Sequence, residues 1–568
     1  MMPTLTWYER YPHLFDEERE TLLQQGFSLE QVAIQQHKLV KFTGTIQFEG
    51  ESFNILIEYP KAFPHFPPNA YCQNVQFQRH QDVQSKRLCL YEEWKDLDFE
   101  VFGHNIVERI KEWLHGYKYG FSPDSEINGP EPKQYHQLTS GFRGIILTPR
   151  ELIDNWSFSE AVFSMRIARL RDIWQGILVD ISGAGNTIQA QPIHQELYKN
   201  YPVVHGMCFD VNSTPPYFHS GVEIVQWLEA HGHENVLQKC ISASHHLQDQ
   251  NSMFGPLLGI RFIDEDELRG QTRRRFMIVA IDFQNQFQNP NSIRVTPMCI
   301  FESKDISEEV VFRRVAELRP LQNMSAVIVG LGTIGSSIAL DLAKAGIGKV
   351  ALVDHGSLDV GNVVRHVGNL QQLGQLKIEA VTAHMKSHNP YIEIQEIPTY
   401  VGAFQDEEVL TNWISSADIL ICAVGHSPTE RYLDRIARQS NTPTVYTFSS
   451  SGAWSGRAFR VIPGTTGCYH CHQYFIDDGT LPPLSAPPEE LVIFDNGCAI
   501  PAFPGSGLDT GIVSNLASRL AIQTLLVGHP NAYEPTQNDH IVWYSRGKNG
   551  NLEIVQKSVG KHAHCKWC

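Results

Sequence analysis

The sequence predicts a chain of several domains: an α+β domain first, a mixed α/β domain in the middle, and an α/β doubly wound, Rossmann-like domain last. The length of 568 residues is more than one ordinary domain needs. A polar stretch rich in Pro and Gly follows the first domain. Strand and helix patterns alternate in the last part, as they do in parallel sheets covered by helices. The predicted boundaries are 1–120, a linker over 121–137, 138–315, and 316–568.

The composition is that of a globular protein without nucleic-acid or membrane partners. Hydrophobic residues make up 42% and charged residues 19% of the chain, and the net charge of −16 argues against direct nucleic-acid binding. No apolar run reaches the ~18 residues that span a bilayer. The N-terminal segment lacks the basic and apolar regions of a signal peptide. We therefore expect a cytoplasmic protein whose 11 cysteines serve metal binding or catalysis more readily than disulfides.

The first domain is predicted to contain two helices and a pair of strands. Residues 16–34 and 104–117 have helical spacing, while LVKFTGTIQFEG and ESFNILIEYP read as strands around a Gly turn. Four prolines keep YPKAFPHFPPNAYC, residues 59–72, extended or turning. Further along, Cys89 lies in the sequence LCLY.

This order of motifs resembles a ubiquitin-conjugating domain. The residues that match the family's proline-rich turn are Tyr59, Pro60, Phe63, Pro64, Pro67 and Pro68. The resemblance implies that Cys89 accepts an acyl group as a thioester. The family's His-Pro-Asn segment is replaced by His80, Gln81 and Asp82. The family's Asn supports an oxyanion, and an aspartate is a poor donor for that purpose unless it is protonated.

The middle region has less informative patterns. SFSEAVFSMRIARLRDIWQGIL and SGVEIVQWLEAHG are predicted to be helical, and RFMIVAIDFQ is predicted to be a buried strand. We find no Gly-rich loop and no metal-ligand cluster in this part of the sequence. The neighbours His245 and His246 point apart on any regular element, which favours a surface pair over a metal site. We expect a linking or scaffolding domain.

The last domain begins with a Gly-rich loop, VIVGLGTIGSS, between a strand and a helix. Glycines allow the backbone to approach a phosphate, and Asp354 ends the next strand, where a carboxylate can bind a ribose. On its own the loop leaves NAD or FAD, ATP, and a turn without ligand open. Arg365 and Lys377 follow downstream and favour ATP, because a triphosphate needs more cations than NAD does.

Three stretches, VIVGLGTIGSS, VDHGSLDVGNVVRH and GQLKIEAV, resemble the ThiF-type adenylation domain of the ubiquitin-activating family, which includes the bacterial sulfur-carrier adenylyltransferases. The ATP-binding residues implied by the resemblance are Gly330, Gly332, Gly335, Asp354, Asn362, Arg365 and Lys377. Arg365 and Lys377 are also implied in catalysis. His366 stands where the family usually has Gln. Gly425 and His426 stand where it has a magnesium-associated aspartate, and Asp418 lies at the other end of that strand.

Five cysteines of the last domain are candidate functional residues. Two C-x-x-C pairs, Cys468 with Cys471 and Cys565 with Cys568, predict a closed, tetrahedral structural zinc site. Cys498 precedes a long helical pattern, where a lowered thiol pKa would suit thioester formation. This arrangement resembles the activating enzyme of autophagy. A buried inert cysteine, or one like that of the sulfur-carrier enzymes, remains the alternative.

Together the motifs resemble the fused activating–conjugating enzymes of bacterial anti-phage CBASS operons. That resemblance implies ATP- and Mg²⁺-dependent adenylation of a protein C-terminus, that of a cyclic-nucleotide synthase or a ubiquitin-like protein. The acyl group would then pass to Cys498, to Cys89 and to a target lysine. It also implies a homodimer, with Arg313 and Arg314 as candidates for reaching the partner's ATP. The alternatives are a sulfur-carrier adenylyltransferase without conjugation, a non-catalytic ATP-binding scaffold, and an NAD oxidoreductase.

Overall fold

In a computed structural model, the chain divides into two compact units, residues 1–305 and 306–568. The structure describes residues 5–568 except 78, 83–84, 91–101, 122–134, 136–143, 219, 245–255, 267, 269, 282–297, 403–406, 488–492, 495–500, 503, 531–535 and 546–550. His245, His246 and Cys498 therefore lie outside the described residues. None of the helices in the described part of the chain has the length and apolarity needed to cross a bilayer.

The first part of unit 1 is a four-stranded antiparallel sheet with helices. Its elements are α1 (Trp7–Arg10), α2 (Pro12–Gln24), β1 (Ser28–Leu29), α3 (Gln31–His37), β2 (Val40–Phe48), β3 (Glu51–Tyr59), β4 (Asn69–Cys72) and α4 (Phe102–Tyr119). The strand order is β1-β2-β3-β4. Glu49 and Gly50 both have positive φ, which suits the tight turn between β2 and β3. The apolar face of β3, including Ile55 and Ile57, shares one core with Trp113 of α4.

The second part of unit 1 is a closed β-barrel. Its elements are β5 (Gly144–Thr148), α5 (Arg150–Asp154), β6 (Glu160–Leu170), β7 (Ile173–Gly183), β8 (Asn186–Gln189), α6 (Pro192–Leu197), β9 (Val203–Asp210), α7 (Gly221–Ala230), α8 (Val236–Ser244), β10 (Leu257–Glu265), β11 (Thr272–Ile281) and β12 (Met298–Asp305). The strands follow the order β5-β12-β11-β10-β9-β6-β7, and β5 also pairs with β7, which closes the barrel. Helices α7 and α8 share a second apolar cluster with β9, β10 and β11.

One predicted helix of the middle region is wrong. SFSEAVFSMRIARLRDIWQGIL forms the hairpin β6–β7, whereas the predicted helix SGVEIVQWLEAHG and the predicted strand RFMIVAIDFQ agree with α7 and β11. Phe163 and Ile167 are four residues apart, a spacing that also fits a helix. The barrel core accommodates the Phe163 ring because Gly206 beside it has no side chain. A Cβ at Gly206 would lie only 2.4 Å from that ring. Tertiary packing therefore decides whether such a stretch forms a strand, with a repeat of two residues, or a helix, with a repeat of about 3.6 residues.

Unit 2 is a doubly wound α/β domain, as predicted. Its elements are α9 (Glu308–Val311), β13 (Ser325–Val329), α10 (Thr333–Ala345), β14 (Lys349–Val353), α11 (Lys377–His388), β15 (Glu393–Ile397), α12 (Glu407–Ser416), β16 (Ile419–Cys422), α13 (Ser427–Gln439), β17 (Thr444–Ser449), β18 (Ser455–Val461), α14 (Tyr469–Asp477), β19 (Ile493–Phe494), β20 (Pro501–Ala502), α15 (Gly507–Leu525), β21 (His540–Tyr544) and β22 (Glu553–Lys557). The main sheet has the order β15-β14-β13-β16-β17-β18-β21-β22. The first five strands are parallel and the last three antiparallel. Because the order reverses at β13, a crevice for a ligand is expected at the carboxyl ends of the central strands.

Candidate functional site

A cavity of about 530 Å³ lies at the carboxyl ends of the central parallel strands of unit 2. Four of the residues predicted to bind ATP line it, namely Gly330, Gly332, Asp354 and Lys377. Most of the remaining wall comes from the loops after β14, β15 and β16, and Val329, Val353 and Thr429 of the adjoining strands and helix complete it. The cavity thus occupies the place where open α/β sheets bind their ligands.

The Gly-rich loop leaves β13 and enters α10 with no room for side chains at two of its glycines. Gly330 has φ +88°, and a Cβ there would lie 2.8 Å from the carbonyl oxygen of Ala423. A Cβ at Gly335 would lie 1.8 Å from the carbonyl oxygen of Gly330. Gly332 caps α10 and faces open space, so a ligand can approach the backbone there. Gly335 therefore shapes the turn, while Gly330 and Gly332 meet the cavity.

Asp354 ties the Gly-rich loop to the loop after β14. One carboxylate oxygen accepts the backbone N–H of Leu331 at 2.6 Å, and the other accepts the N–H of Gly356 at 2.6 Å. A carboxylate has about four lone-pair sites, so acceptor capacity remains on the cavity side. A Cβ at Gly356 would lie 3.2 Å from Nζ of Lys377, which places the ammonium group beside this loop. The wall therefore combines a hydrogen-bond acceptor with a cation.

His366 connects the Gly-rich loop to the segment that carries Asn362 and Arg365. Its Nδ1 accepts the backbone N–H of Gly368 at 2.9 Å, so Nε2 carries the proton and donates to the carbonyl oxygen of Leu331 at 2.9 Å. Burial lowers the pKa of His366 to about 4, which keeps the ring neutral. An amide side chain has the same donor and acceptor pair. His366 stands where the family usually has Gln, but sequence reasoning did not assign this connecting role to it. The shared donor and acceptor pair of the two side chains could have indicated the role.

Asn362 and Arg365 do not line the cavity. The side-chain oxygen of Asn362 accepts the backbone N–H of Asp359 at 3.1 Å and so closes a short 3₁₀ turn. Arg365 is half-buried, and Gly507 at the start of α15 packs against its backbone. The structure thus brings four predicted residues to the cavity wall, and Gly335, Asn362 and Arg365 are not among its lining residues.

Gly425 and His426, which the resemblance aligns with a magnesium-associated aspartate, lie in the loop after β16. Gly425 has φ +61°, and Nδ1 of His426 lies 2.8 Å from the hydroxyl of Thr429. Asp418 is at the opposite end of β16, where it accepts the N–H and O–H of Ser325 at 2.7 and 2.8 Å. Among the described residues that line the cavity, Asp354 is the only carboxylate. Asp418 therefore lies at the end of β16 that is away from the cavity.

Residues 306–566 match the ThiF family. This part of the chain is a ThiF-family domain. An uncharacterized protein of Sinorhizobium fredii, y4oA, is 22% identical over 93% of this chain and 91% of its own length. The adenylyltransferase and sulfurtransferase UBA4 of Lodderomyces elongisporus is 27% identical over 26% of this chain and 32% of its own length. The ubiquitin-like modifier-activating enzyme 5 of Dictyostelium discoideum is 25% identical over 27% and 42%. This chain therefore spans less than half the length of the two relatives with named activities.

Among solved structures, that of Escherichia coli MccB with ATP is similar to this chain with 19% identity and a TM-score of 0.34. The similarity covers 46% of this chain and 70% of MccB.

Two C-x-x-C pairs come together in space: Cys468 with Cys471, at the start of α14, and Cys565 with Cys568. The Sγ–Sγ distances are 3.8 Å for Cys468–Cys471, 3.6 Å for Cys468–Cys565, 3.4 Å for Cys471–Cys568 and 3.6 Å for Cys565–Cys568. A tetrahedral zinc ion with Zn–S bonds of about 2.3 Å would require edges near 3.8 Å. The backbone N–H of His562 also donates to Cys471 Sγ at 3.3 Å. The four thiols therefore fit a closed zinc site that attaches the C-terminal residues to α14.

The described residues around Cys89 in unit 1 are joined by backbone and side-chain hydrogen bonds. The Cys89 side chain is exposed, and its backbone N–H donates to the carbonyl oxygen of His80 at 2.8 Å. Gln81 is buried, and its amide binds the backbone, accepting from Phe77 at 2.7 Å. Asp82 accepts the N–H and O–H of Ser85 at 2.7 and 2.6 Å, so it acts here as an acceptor. The structure thus places the His-Gln-Asp segment directly beside the candidate cysteine.

Proposed function

We propose that this chain is an enzyme that uses ATP to adenylate the C-terminal carboxylate of a protein. The observation that carries the proposal is the cavity of about 530 Å³ in which the Gly-rich loop, Asp354 and Lys377 meet. The ThiF family match supports it, as do the names of UBA4, an adenylyltransferase, and of the modifier-activating enzyme 5. An oxidoreductase that binds NAD would not require the Lys377 ammonium group at this wall.

The side chains of the wall suit the parts of ATP. Asp354 retains acceptor capacity for ribose hydroxyls, and the N-terminus of α10 offers backbone N–H groups to phosphate oxygens. The substrate carboxylate attacks the α-phosphorus, the bond to the β-phosphate oxygen breaks, and pyrophosphate leaves. Lys377 stabilises the charge that develops on the phosphates. Arg365 remains a proposed second cation, because His366 ties its segment to the loop.

Mg²⁺ and Zn²⁺ would be held in different ways in this proposal. Mg²⁺ usually keeps several waters and is bound through substrate phosphates. Since Asp354, the carboxylate of the described wall, is assigned to the ribose, Mg²⁺ would be held by the phosphates and water. It would neutralise phosphate charge. Zn²⁺ would be held by Cys468, Cys471, Cys565 and Cys568, whose ligand atoms all lie within 4.8 Å of one another. Four thiolates leave no open position, so this zinc would be structural.

ATP–pyrophosphate exchange tests the adenylation step. We expect exchange with a peptide that ends in a free C-terminal glycine and none with the same peptide as its C-terminal amide, because the amide has no nucleophilic carboxylate. Elemental analysis of the same preparation should find about one zinc per chain. Absence of exchange together with tight NAD binding would contradict adenylation.

We further propose that the acyl group moves from AMP to Cys498, then to Cys89, and finally to a lysine amine. In the first transfer a thiolate attacks the acyl-adenylate and AMP leaves; in the second, thioesters exchange. The exposure of Cys89 supports its part. Placing both cysteines in one chain raises their effective concentration. The resemblance to the fused CBASS enzymes supports a cyclic-nucleotide synthase or a ubiquitin-like protein as the activated partner, and a role in anti-phage defence in a cytoplasmic homodimer.

Non-reducing gels separate this relay from the sulfur-carrier alternative, which the name of UBA4 favours. With ATP and a co-expressed cyclic-nucleotide synthase, a reductant-sensitive adduct should disappear in Cys498→Ala. It should accumulate on Cys498 in Cys89→Ala. If Cys89→Ala leaves all products unchanged, the chain works without conjugation, as a sulfur-carrier adenylyltransferase does.

A further inference from the structure

We infer that the β-barrel of unit 1 fixes the loop that carries Cys89, through the contacts Glu265–Arg79–His80–Cys89. These contacts are called the Arg79 bridge below. They link the four-stranded α+β part of unit 1 to the barrel, for which the sequence suggested no more than a linking role. The consequence of the Arg79 bridge for acyl transfer rests on the function proposed for Cys89. The coupling of the barrel to the Cys89 loop does not rest on that function.

The first contact joins the barrel to Arg79. Glu265 is the last residue of β10, opposite Thr272 at the end of the β10–β11 hairpin. Nη1 of Arg79 lies 2.9 Å from Oε1 of Glu265, and Nη2 donates to Oε2 at 3.2 Å. Such a bidentate ion pair fixes the plane of the guanidinium group. A lysine in this place would form a single ion pair without a fixed orientation. The barrel therefore sets the orientation of Arg79.

The second contact joins Arg79 to a buried ring. Nε–H of Arg79 donates to Nε2 of His80 at 2.9 Å, so that nitrogen is an acceptor and the ring is neutral. Burial, with the neighbouring Arg79 charge, lowers the pKa of His80 to about 4. The ring also meets the edge of Phe121, with centroids 4.8 Å apart. His80 is therefore held on one side by Phe121 and on the other by Arg79, which itself binds Glu265 of the barrel.

The third contact passes from His80 to the candidate cysteine. His80 has φ +56°, a conformation that a non-glycine residue rarely adopts without support from its surroundings. Its carbonyl oxygen accepts the N–H of Cys89 at 2.8 Å, and Gln81 pairs with Leu88 beside it. A change at His80 therefore moves the backbone of Cys89 directly. All residues of the bridge lie within unit 1 and within the described part of the chain.

Amide hydrogen exchange of the full-length protein tests the bridge without any enzymatic step. We expect Glu265→Ala and Arg79→Lys each to speed exchange in residues 79–90 by about fivefold, because each releases a hydrogen-bonded constraint on the loop. Lysine keeps the charge of Arg79 but cannot bind Glu265 and His80 together. The matched control is Glu58→Gln, which breaks the Lys41–Glu58 pair of the same domain and should leave this exchange unchanged.

A charge swap separates a bridge from simple domain docking. Arg79→Glu with Glu265→Arg restores an ion pair but not the donor to His80, so exchange of residues 79–90 should stay fast. If the swap restores slow exchange, or if Glu265→Ala leaves it slow, the inference is wrong. The rate of acyl arrival at Cys89 is the second readout. Should Cys89 never carry an acyl group, its proposed function fails, whereas the exchange data still decide on the bridge.

Discussion

Two buried histidines hold the two candidate sites, and they are supported in different ways. His366 binds two backbone groups of the ThiF domain, the carbonyl oxygen of Leu331 and the N–H of Gly368. His80 accepts a hydrogen bond from the side chain of Arg79, which is itself held by Glu265 of the barrel. The cavity of unit 2 is thus built within one domain, whereas the Cys89 loop is in contact with a neighbouring domain through Arg79.

This difference predicts how far a substitution acts. A change at the cavity wall should alter nucleotide chemistry and leave the Cys89 loop as it is. A change in the barrel, distant in sequence from Cys89, should alter that loop. A site built within one domain should tolerate substitutions elsewhere in the chain. The geometry of a loop that a neighbouring domain supports should instead change with substitutions in that domain.

The largest expected effect is on the cavity wall. We predict that Lys377→Ala lowers the rate of ATP–pyrophosphate exchange by about 100-fold or more, because it removes a cation that stabilises phosphate charge in the transition state. Lys386→Ala, an exposed residue of the same helix, is the control. Hydrogen exchange of the Cys89 loop should be the same in both variants. A loss of less than about threefold at Lys377 would remove it from the mechanism.

The next effect concerns His366. His366→Ala leaves the N–H of Gly368 and the carbonyl of Leu331 without their partner, which should cost about 2–3 kcal/mol of stability and raise KM for ATP about tenfold. His366→Gln should recover most of both losses, because the amide offers one donor and one acceptor. Urea unfolding and steady-state kinetics measure the two quantities. If Gln is no better than Ala, the donor–acceptor role is wrong.

The two histidines also predict a pH dependence. Their folded-state pKa values are about 4, below the ordinary value of 6.5, mainly because of burial. Between these values the unfolded chain binds more protons than the folded chain, so stability falls as the pH drops from 6.5 to 4. At pH 5 each histidine should cost about 2 kcal/mol relative to pH 7.5.

Urea unfolding at both pH values provides the measurement. His366→Gln should reduce the pH dependence of the transition of unit 2 by its own share of about 2 kcal/mol, because burial also lowers the pKa of His472 and His540 in that unit. His80→Gln should reduce that of unit 1 by a similar amount. The wild-type slope surviving in both variants would assign the proton uptake to other groups.

Sequence reasoning succeeded where local patterns and local structure agree. In the ThiF domain, the predicted strands and helices lie within a few residues of β13, α10 and β17, because glycine turns and apolar runs mark their ends. The barrel hairpin β6–β7 was predicted as a helix, since its core exists only when β9 and β11 pack beside it. The Arg79–Glu265 pair joins residues 186 positions apart, which no spacing rule anticipates.

The smallest expected effect concerns Asp82. Its carboxylate accepts both the N–H and the O–H of Ser85, and the carbonyl oxygen of an asparagine can accept the same bonds. Asp82→Asn should therefore change the free energy of unfolding by less than about 1 kcal/mol. If Asp82 only shapes the loop, the rate of the final amine attack should also change by less than about threefold. An acceleration of about tenfold or more would mean that an amide donor at this position stabilises the oxyanion. In that case the chain carries a weakened version of the conjugating site, and the support that Arg79 gives to His80 would not be sufficient for full activity.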